Sequence, residues 1–439
     1  MQVIRFHPAT LWRKARALSQ ELWVRVVFMG LLSLISLGVT QLIQIVVPDE
    51  MTGRMPGSSA DRLLDLIANA MLAVTIFSMT VMVSVYQSSS SQWTPRVHQL
   101  IMHDGITQKT LAAFIGTYLY ALVAIILREL VVFLDAHALV LFWVTVLVLA
   151  FVVWSLVRWA LHLQTFGSLL DTTRQVEGIT KRQFEERLET PCLGANPLVG
   201  DVPEGAVCIR AAESGYIRDL YPEGLQATAK RFGVELYLTE PVGHFVFLNE
   251  PMLWVVGDAD KDAAGEDDFE SLLRDHITQG DLRSYEQDPR FGLTVMGEIA
   301  AKALSPGVND PGTAIDVITR VGRILSSYRD ETKGDGETKF NRLWVPPLDA
   351  GELLDDGFGT AMRDGAGTLE VQHQLQHTLA GLMQHPDQGL SHAACAAAKQ
   401  ALRRALAAID FPDDRTRLLE AAHPDVRAAV DKRGATHVI

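Results

Sequence analysis

At 439 residues, with 48% hydrophobic side chains and a net charge of −13, the chain is long enough for about three domains and does not fit collagen-like, disordered or small secreted classes. The charge is unevenly divided: residues 1–164 hold 11 Lys/Arg against 8 Asp/Glu, and residues 165–439 hold 28 against 44. The acidic second part argues against nucleic acid, which needs clustered Lys/Arg to displace counterions. Three scattered cysteines, Cys192, Cys208 and Cys395, exclude a disulfide framework and a thiolate zinc site, and they suit a reducing compartment.

Four apolar stretches in residues 1–164 are long enough to cross a bilayer, which takes about 20 helical residues. They run over 23–47, 63–86, 111–134 and 137–163. The first follows Arg5, Arg13, Lys14 and Arg16 as a signal peptide would. Its apolar run is too long for one and no small-x-small cleavage site follows, so it reads as an anchor. Basic residues flank the N-terminal arm, the second-to-third loop (Arg96, Lys109) and the chain after the fourth span (Arg158, Arg174, Lys181, Arg182). The positive-inside bias therefore places both termini in the cytoplasm.

Polar residues inside a span are the informative exceptions. With Thr80 at zero on a helical wheel, Asn69, Ser84, Gln87, Ser88 and Ser91 fall within about 80 degrees of it, and Asp65 lies near the same face. Ile76 and Phe77 interrupt this stripe at mid-membrane, and Arg96 follows at its cytoplasmic end. One reading is a pore lining with an apolar constriction at Ile76 and Phe77 and Arg96 at the mouth; the other is hydrogen-bonded glue between packed spans. Arg128 and Glu129, near the end of the third span, are expected to snorkel to the interface.

Residues 165–190 read as an amphipathic connecting helix ending before Pro191. From 200 to 257 the pattern changes to short strands separated by Gly, Pro and Asn, which indicates a small β-rich domain with a barrel-sandwich-like order. No carrier lysine sits at its hairpin tip, Asn249-Glu250-Pro251. The loop 257–268 spaces Asp258, Asp260 and Asp262 as a calcium loop begins, but Ala263 and Phe269 occupy the positions that need Gly and a bidentate Glu. It is expected to be a solvated connector.

Residues 269–439 read as mainly helical, with a strand over Phe340-Asn-Arg-Leu-Trp-Val-Pro and β-rich chain continuing to Gly359. Two runs stand out. Gln287-Asp288-Pro289-Arg290-Phe291-Gly292 opens a helix that ends near Leu304, and Ser305-Pro306-Gly307-Val308-Asn309-Asp310-Pro311 turns into the next. Asp310 is placed as an N-cap with Pro311 at the first helical position, and Gly307 and Asn309 supply the backbone freedom of the turn. Glu370, His373 and His377 share a helix face without an HExxH or a third ligand cluster, so no metal is expected. There is no GxSxG, P-loop, GxGxxG after a strand, or kinase set, and no cofactor is implied.

With Pro95-Arg96, Gly116-Thr117, Tyr120, Ser214-Gly215-Tyr216, Gln287-Asp288-Pro289-x-Phe291-Gly292 and Ala303-Leu-Ser-Pro-Gly-Val-Asn-Asp-Pro311, the chain resembles a bacterial family of predicted membrane proteins, a domain of unknown function. Thr94 stands where the family pattern has Ser. The resemblance implies four spans and a cytoplasmic domain and brings no catalytic residues. The expected architecture is an α-helical membrane domain followed by a cytoplasmic α+β region, with a small β-rich and a helical part, in the bacterial inner membrane. The expected partners are the lipid bilayer, further copies of the chain, and a small ion or ligand. Three functions are compatible: an oligomeric channel lined by the second span, a tethered sensor or scaffold, and an enzyme unlike familiar ones acting at Asp288, Arg290 and the Asn309-Asp310 turn.

Overall fold

The computed structural model describes Val24, Val27 and residues 58–102, 104–129, 138–164, 166–257, 269–333 and 338–434. The chain divides into two units, residues 1–172 and 173–439. The expected first span, 23–47, lies outside the described residues except for Val24 and Val27, which are helical. The acidic loop 258–268 lies outside them entirely.

The first unit holds α1 (Ser58–Gln92), α2 (Pro95–Met102), α3 (Gly105–Glu129) and α4 (Ala138–Leu163). Three stretches here, Ser59–Ser89, Pro95–Glu129 and Leu141–Leu163, are long and apolar enough to cross a membrane. Four spans were expected; among the described residues there are three candidates. Pro95 starts α2, because a proline interrupts the helical hydrogen bonding at the end of α1. Small residues on α3, including Ala112, Gly116, Thr117, Ala121 and Ala124, are buried, which allows close backbone approach where lipid supplies no hydrophobic drive. Tyr120 is buried among them with its hydroxyl 3.2 Å from Thr145 Oγ1 on α4. Arg128 is turned onto Asp61 at the start of α1, its Nε and Nη2 donating to the two carboxylate oxygens at 2.8 and 3.0 Å. The expected snorkelling gives way to a forked ion pair because α3 runs antiparallel to α1 and brings the two ends together.

The second unit begins with α5 (Leu169–Glu189), which crosses the boundary, and a 3-10 turn, Pro191–Gly194. The β region contains β1 (Ala195–Pro197), β2 (Val207–Arg210), β3 (Gly215–Leu220), α6 (Pro222–Phe232), β4 (Glu235–Tyr237), β5 (Phe245–Val246) and β6 (Pro251–Val256). After it come α7 (Phe269–Arg274) and β7 (Ile277–Gly280), and β8 (Phe340–Val345) follows much later. These strands form a five-stranded sheet of order β1-β8-β4-β6-β2 and a three-stranded sheet of order β5-β3-β7. β8 runs parallel to both β1 and β4, with Leu343 opposite Leu236 and Val345 opposite Pro197. The small β-rich region is therefore completed by strands from outside 200–257, in a mixed sheet. Leu225, Ala229 and Phe232 of α6 join Leu236, Leu253 and Leu343 in one core. Gln226 clips α6 to β8, donating to Asn341 Oδ1 at 2.7 Å and accepting from the Arg342 N–H at 3.0 Å.

The helices are α8 (Pro289–Leu304), α9 (Pro311–Leu325), α10 (Ala350–Asp364), α11 (Leu369–Leu382), α12 (Gln388–Ala408), α13 (Pro412–Ala421) and α14 (Pro424–Gly434). The expected β-rich chain up to Gly359 is instead α10. Asp349 caps it by accepting from the Glu352 N–H at 2.8 Å, and Leu353, Leu354, Phe358, Ala361 and Met362 then repeat at helical spacing and are buried. Gly292 explains its place in its motif: a Cβ there would overlap the Thr180 side chain, so any larger residue would push α8 off α5. The same contact side of α5 is charged. Glu177 accepts from Arg323 Nε at 2.8 Å and from Arg320 of α9.

Glu331 carries a deeply buried charge. Its side chain has no exposed surface. It accepts from Arg187 Nε and Nη2 at 2.5 and 3.0 Å, from the Cys192 N–H at 3.0 Å and from the Leu348 N–H at 2.6 Å. Removing one partner of such a pair strands the other as a buried, unpaired charge. Glu331→Ala is expected to lose about 3–5 kcal/mol in a denaturant titration of the detergent-solubilised chain. A loss below about 1 kcal/mol, the range of an exposed pair, would contradict this account.

Candidate functional site

Two arrangements, one in each unit, could carry function. In the first unit, α1 has two faces. Ala60, Leu64, Ile67, Ala68, Met71 and Ser78 are buried, whereas Asn69, Thr80, Ser84, Gln87 and Ser88 are exposed. Ser91 lies on the same helix. The intervening Ile76 and Phe77 are 58% and 60% exposed, and Arg96 is exposed on α2. The stripe read from the helical wheel is thus an outward-facing surface, not one packed between the described helices. Two of its polar groups bond within α1: Thr80 donates to the Ile76 carbonyl at 2.9 Å, and the Asn69 amide to that of Asp65 at 2.9 Å. The Thr80 hydroxyl oxygen and the Asn69 amide oxygen are not used in these two bonds and can still accept.

In the second unit, the two motif runs prove to be one device used twice. Gln287 (φ +56°) and Asn309 (φ +49°) both take the left-handed conformation, each followed by a capping Asp and a Pro in the first helical turn. Asp288 accepts from the Phe291 N–H at 3.0 Å, and Asp310 from the Thr313 N–H and hydroxyl at 3.1 and 2.6 Å. Gly307 was expected to share the strain, but its φ is not positive and a Cβ there would meet nothing within 4 Å. The turn rests on Asn309 instead, with Ser305 accepting from the Asn309 N–H at 2.9 Å and the Ala303 carbonyl accepting from Asp310 at 2.8 Å. Pro306 begins the turn without donating.

The two motifs do not converge. Asp288 starts α8 and Asp310 follows its end, so a helix of 16 residues, about 24 Å long, stands between them. They also differ in environment. Asp288 is buried and takes a forked pair from Arg283, Nε to Oδ2 at 2.9 Å and Nη2 to Oδ1 at 3.0 Å. Burial pushes its carboxyl above the ordinary aspartate range, against the pull of Arg283. Gly243, at φ +89°, is required beside it, since a Cβ would overlap the carboxylate. Phe291 lies under the Arg283 guanidinium at 5.1 Å.

Beside Asp288 opens a cavity of about 220 Å³. Its walls are Thr239, Pro241 and Val242, the Gln287–Arg290 run, Val345 to Asp349, and the side chains of Arg187 and Glu352. Arg290 donates its Nε to Asp356 Oδ2 at 2.7 Å and its Nη1 to Glu352. Sequence reasoning singled out Asp288, Pro289 and Arg290 here and missed Arg187, Glu352 and the Pro346-Pro347 wall, which come from distant segments. The paired prolines were the only local signal. Glu370, His373 and His377 are exposed on α11, and no group of three metal-ligating side chains occurs among the described residues. Burial, and then Glu331, push the Cys192 thiol up to about 12, which disfavours the thiolate.

Residues 19–381 match a family described as "Predicted membrane protein (DUF2254)". The match runs from the N-terminal arm to the end of α11 and contains both the α1 stripe and the cavity. Uncharacterized protein Mb1321c of Mycobacterium bovis and Uncharacterized protein Rv1290c of Mycobacterium tuberculosis are each 27% identical over 353 residues, covering 75% of this chain. The chain spans 64% of the length of these relatives. No solved structure matches it.

Asp310 allows a clean test of the capped-turn role. Asp310→Ala is expected to lose about 0.5–2 kcal/mol of stability and to leave any activity per folded molecule intact. Hydrogen bonds from the Thr313 hydroxyl and N–H hold the Asp310 carboxyl below its ordinary range. The cap's contribution is therefore complete above the unfolded aspartate value, about 3.9, and fades as the pH falls through the lower folded value. Melting curves between about pH 6 and pH 3 should show the wild type losing stability relative to Asp310→Asn, which cannot titrate. A constant difference would remove the carboxylate from the account.

Proposed function

Because the chain belongs to this family of predicted membrane proteins, we propose that it acts in the bilayer as a homo-oligomeric conduction protein, lined by α1 and regulated by the region that follows α4. The observation that carries the reading is the outward face of α1, where Asn69, Thr80, Ser84, Gln87 and Ser88 are exposed on the side opposite the packed one. A helix that only anchors gains nothing from polar groups facing hydrocarbon, where each is costly unless it meets water or protein. One helix cannot enclose a path, so several copies must surround a closed axis. Small hydroxyls and amides suit its wall, because they offer donors and acceptors to water or a partly dehydrated ion without fixing a charge. Ile76 and Phe77 form the dry constriction, which gates by dewetting. Arg96 stands at the cytoplasmic mouth. Both termini are cytoplasmic in the bacterial inner membrane, on the basic-residue asymmetry.

A tethered sensor or scaffold is the second reading, and the cavity beside Asp288 favours it, since a lined pocket has no part in anchoring.

The purified protein in planar bilayers should pass current. Thr80→Leu or Ser84→Leu should reduce it more than Thr75→Leu, whose side chain is half-buried and hydrogen-bonded to the Met71 carbonyl. A silent bilayer, or equal effects from all three, would remove conduction. For orientation, a cysteine probe at Ser58 should react from outside intact cells and one at Lys333 should not. The reverse labelling would overturn the topology.

A further inference from the structure

The three-stranded sheet β5-β3-β7 packs Ile217, Leu220, Val246 and Ile277 into the core, and its other face carries a cation whose hydrogen bonding is incomplete. The pairing of β3 with β7 shifts register between Ile217 and Asp219, and Arg218 is the extra residue there. Its stem crosses Gly280, where a Cβ would overlap it, and Gly280 pairs with Tyr216. Paired residues present their side chains to one face of a sheet, so Arg218 and Tyr216 share that face. The Arg218 Nε is buried and has no hydrogen-bond partner among the described residues. A buried donor without an acceptor is costly, and a charged one more so.

An aromatic row leads away from this cation. Tyr216 meets Phe245 edge to face with ring centroids 5.0 Å apart, and Phe245 meets Phe247 at the same spacing. The row ends at the turn between β5 and β6, where Phe247 and Leu248 are 60% and 54% exposed. The backbone of this turn is closed on the protein itself. The N–H groups of Phe247, Leu248, Asn249 and Glu250 donate to Glu250 Oε2, Ser214 Oγ, the Ala211 carbonyl and the Phe247 carbonyl, at 2.8, 2.9, 3.0 and 3.0 Å. Pro251 follows and has no N–H. Arg210 Nη1 donates to the Asn249 carbonyl at 2.7 Å. A turn in water can leave its amides to solvent, whereas one that enters lipid must satisfy them internally. An apolar tip of this kind, backed by a guanidinium that lacks an acceptor, fits an amphiphile with one negative charge. A phosphodiester oxygen accepts from a guanidinium, and a phosphate dianion would meet the exposed Glu213 and Glu250 as like charges. The second unit continues along the chain from the last membrane-crossing candidate, so lipid is held near it at high effective concentration.

We infer that the outer face of the β5-β3-β7 sheet docks on the bilayer surface, with Phe247 and Leu248 among the upper acyl chains and Arg218 on a phospholipid phosphodiester. This docking is independent of conduction and holds whether or not the chain passes current.

Spin labelling of the full chain tests it, in vesicles of phosphatidylethanolamine and phosphatidylglycerol with Cys208→Ser and Cys395→Ser as background, Cys192 being buried. A nitroxide is placed at Leu248→Cys or, as a control elsewhere in the unit, at Val199→Cys, which is 71% exposed. Relaxation by oxygen, which concentrates in lipid, is compared with relaxation by a nickel chelate loaded in the water on both sides. The label at 248 should lie about 5–10 Å into the boundary between headgroups and acyl chains, the depth of other interfacial apolar groups, and the label at 199 should stay in water. Arg218→Gln should lower the ratio of lipid-exposed to water-exposed label at 248 about fivefold, the weight of one guanidinium at an anionic surface. Lys339→Gln, on a side chain exposed elsewhere, should leave the ratio unchanged. If Arg218→Gln fails to fold, Phe247→Ser at the exposed tip decides the matter, and a label that keeps its depth there overturns the docking. Equal readings at 248 and 199 would overturn it as well. So would a label at 248 shielded from both reagents, since a protein partner would then cover the tip.

Discussion

A carboxylate with no exposed surface must be satisfied from inside the protein, and Glu331 draws its donors from three separate segments: α5, the turn after it, and the chain after β8. Much of the second unit follows from that demand. The turn 191–194 takes an unusual path, with Cys192 and Leu193 both left-handed at φ +48° and +58°, and this path directs the Cys192 N–H to the carboxylate. Leu348 is drawn to the same group, which sets the Pro346-Pro347 wall of the cavity. Between these anchors β1 lies alongside β8. Arg187 is held by Glu331 and by the Pro346 carbonyl, and it stands in the cavity wall. One buried ion pair thus organises a sheet edge, a strained turn and a pocket wall.

The first unit answers a different constraint. In lipid each backbone group must be satisfied within its own helix, and side-chain hydroxyls fall back on the nearest carbonyl. Thr75, Ser78 and Thr80 all do so along α1. Polarity on this helix is therefore compatible with either face, and its placement has to be explained by what the face meets. Ser78 is on the packed side and fits the role of a small interhelical contact. Asn69, Thr80, Ser84, Gln87 and Ser88 are not on that side. Arg128 and Asp61 neutralise one another at one end of the α1–α3 pair, so the charges there belong to the scaffold.

The repeated left-handed residue, capping Asp and Pro illustrates how one local device takes on different work. At Asn309-Asp310-Pro311 the cap is a surface turn whose carboxylate bonds Thr313. At Gln287-Asp288-Pro289 the same backbone is buried, and the carboxylate collects Arg283 as well. The Gln287 side chain pins the unit to β3 through the Leu220 N–H and carbonyl, at 3.0 and 3.1 Å. Burial, not motif chemistry, separates the structural copy from the one beside a cavity.

The sequence by itself determined the features that depend on neighbours close along the chain. The apolar spans, the Pro95 break, the helix starts at Asp288 and Asp310 and the polar stripe on α1 all follow from spacing and local hydrogen bonding. Where a long-range partner decides the outcome, local patterning ran out. Arg128 looked like a snorkelling end residue because Asp61 is 67 positions away. The chain after β8 looked β-rich, although the Asp349 cap and the buried face of α10 make it a helix. β8 completes a sheet whose other strands end more than 80 residues earlier. The cavity is the extreme case, assembled from Arg187, Thr239, Arg290, Pro346 and Glu352. Those side chains acquire a common chemistry only when Glu331 and the parallel pairing of β8 bring their segments together.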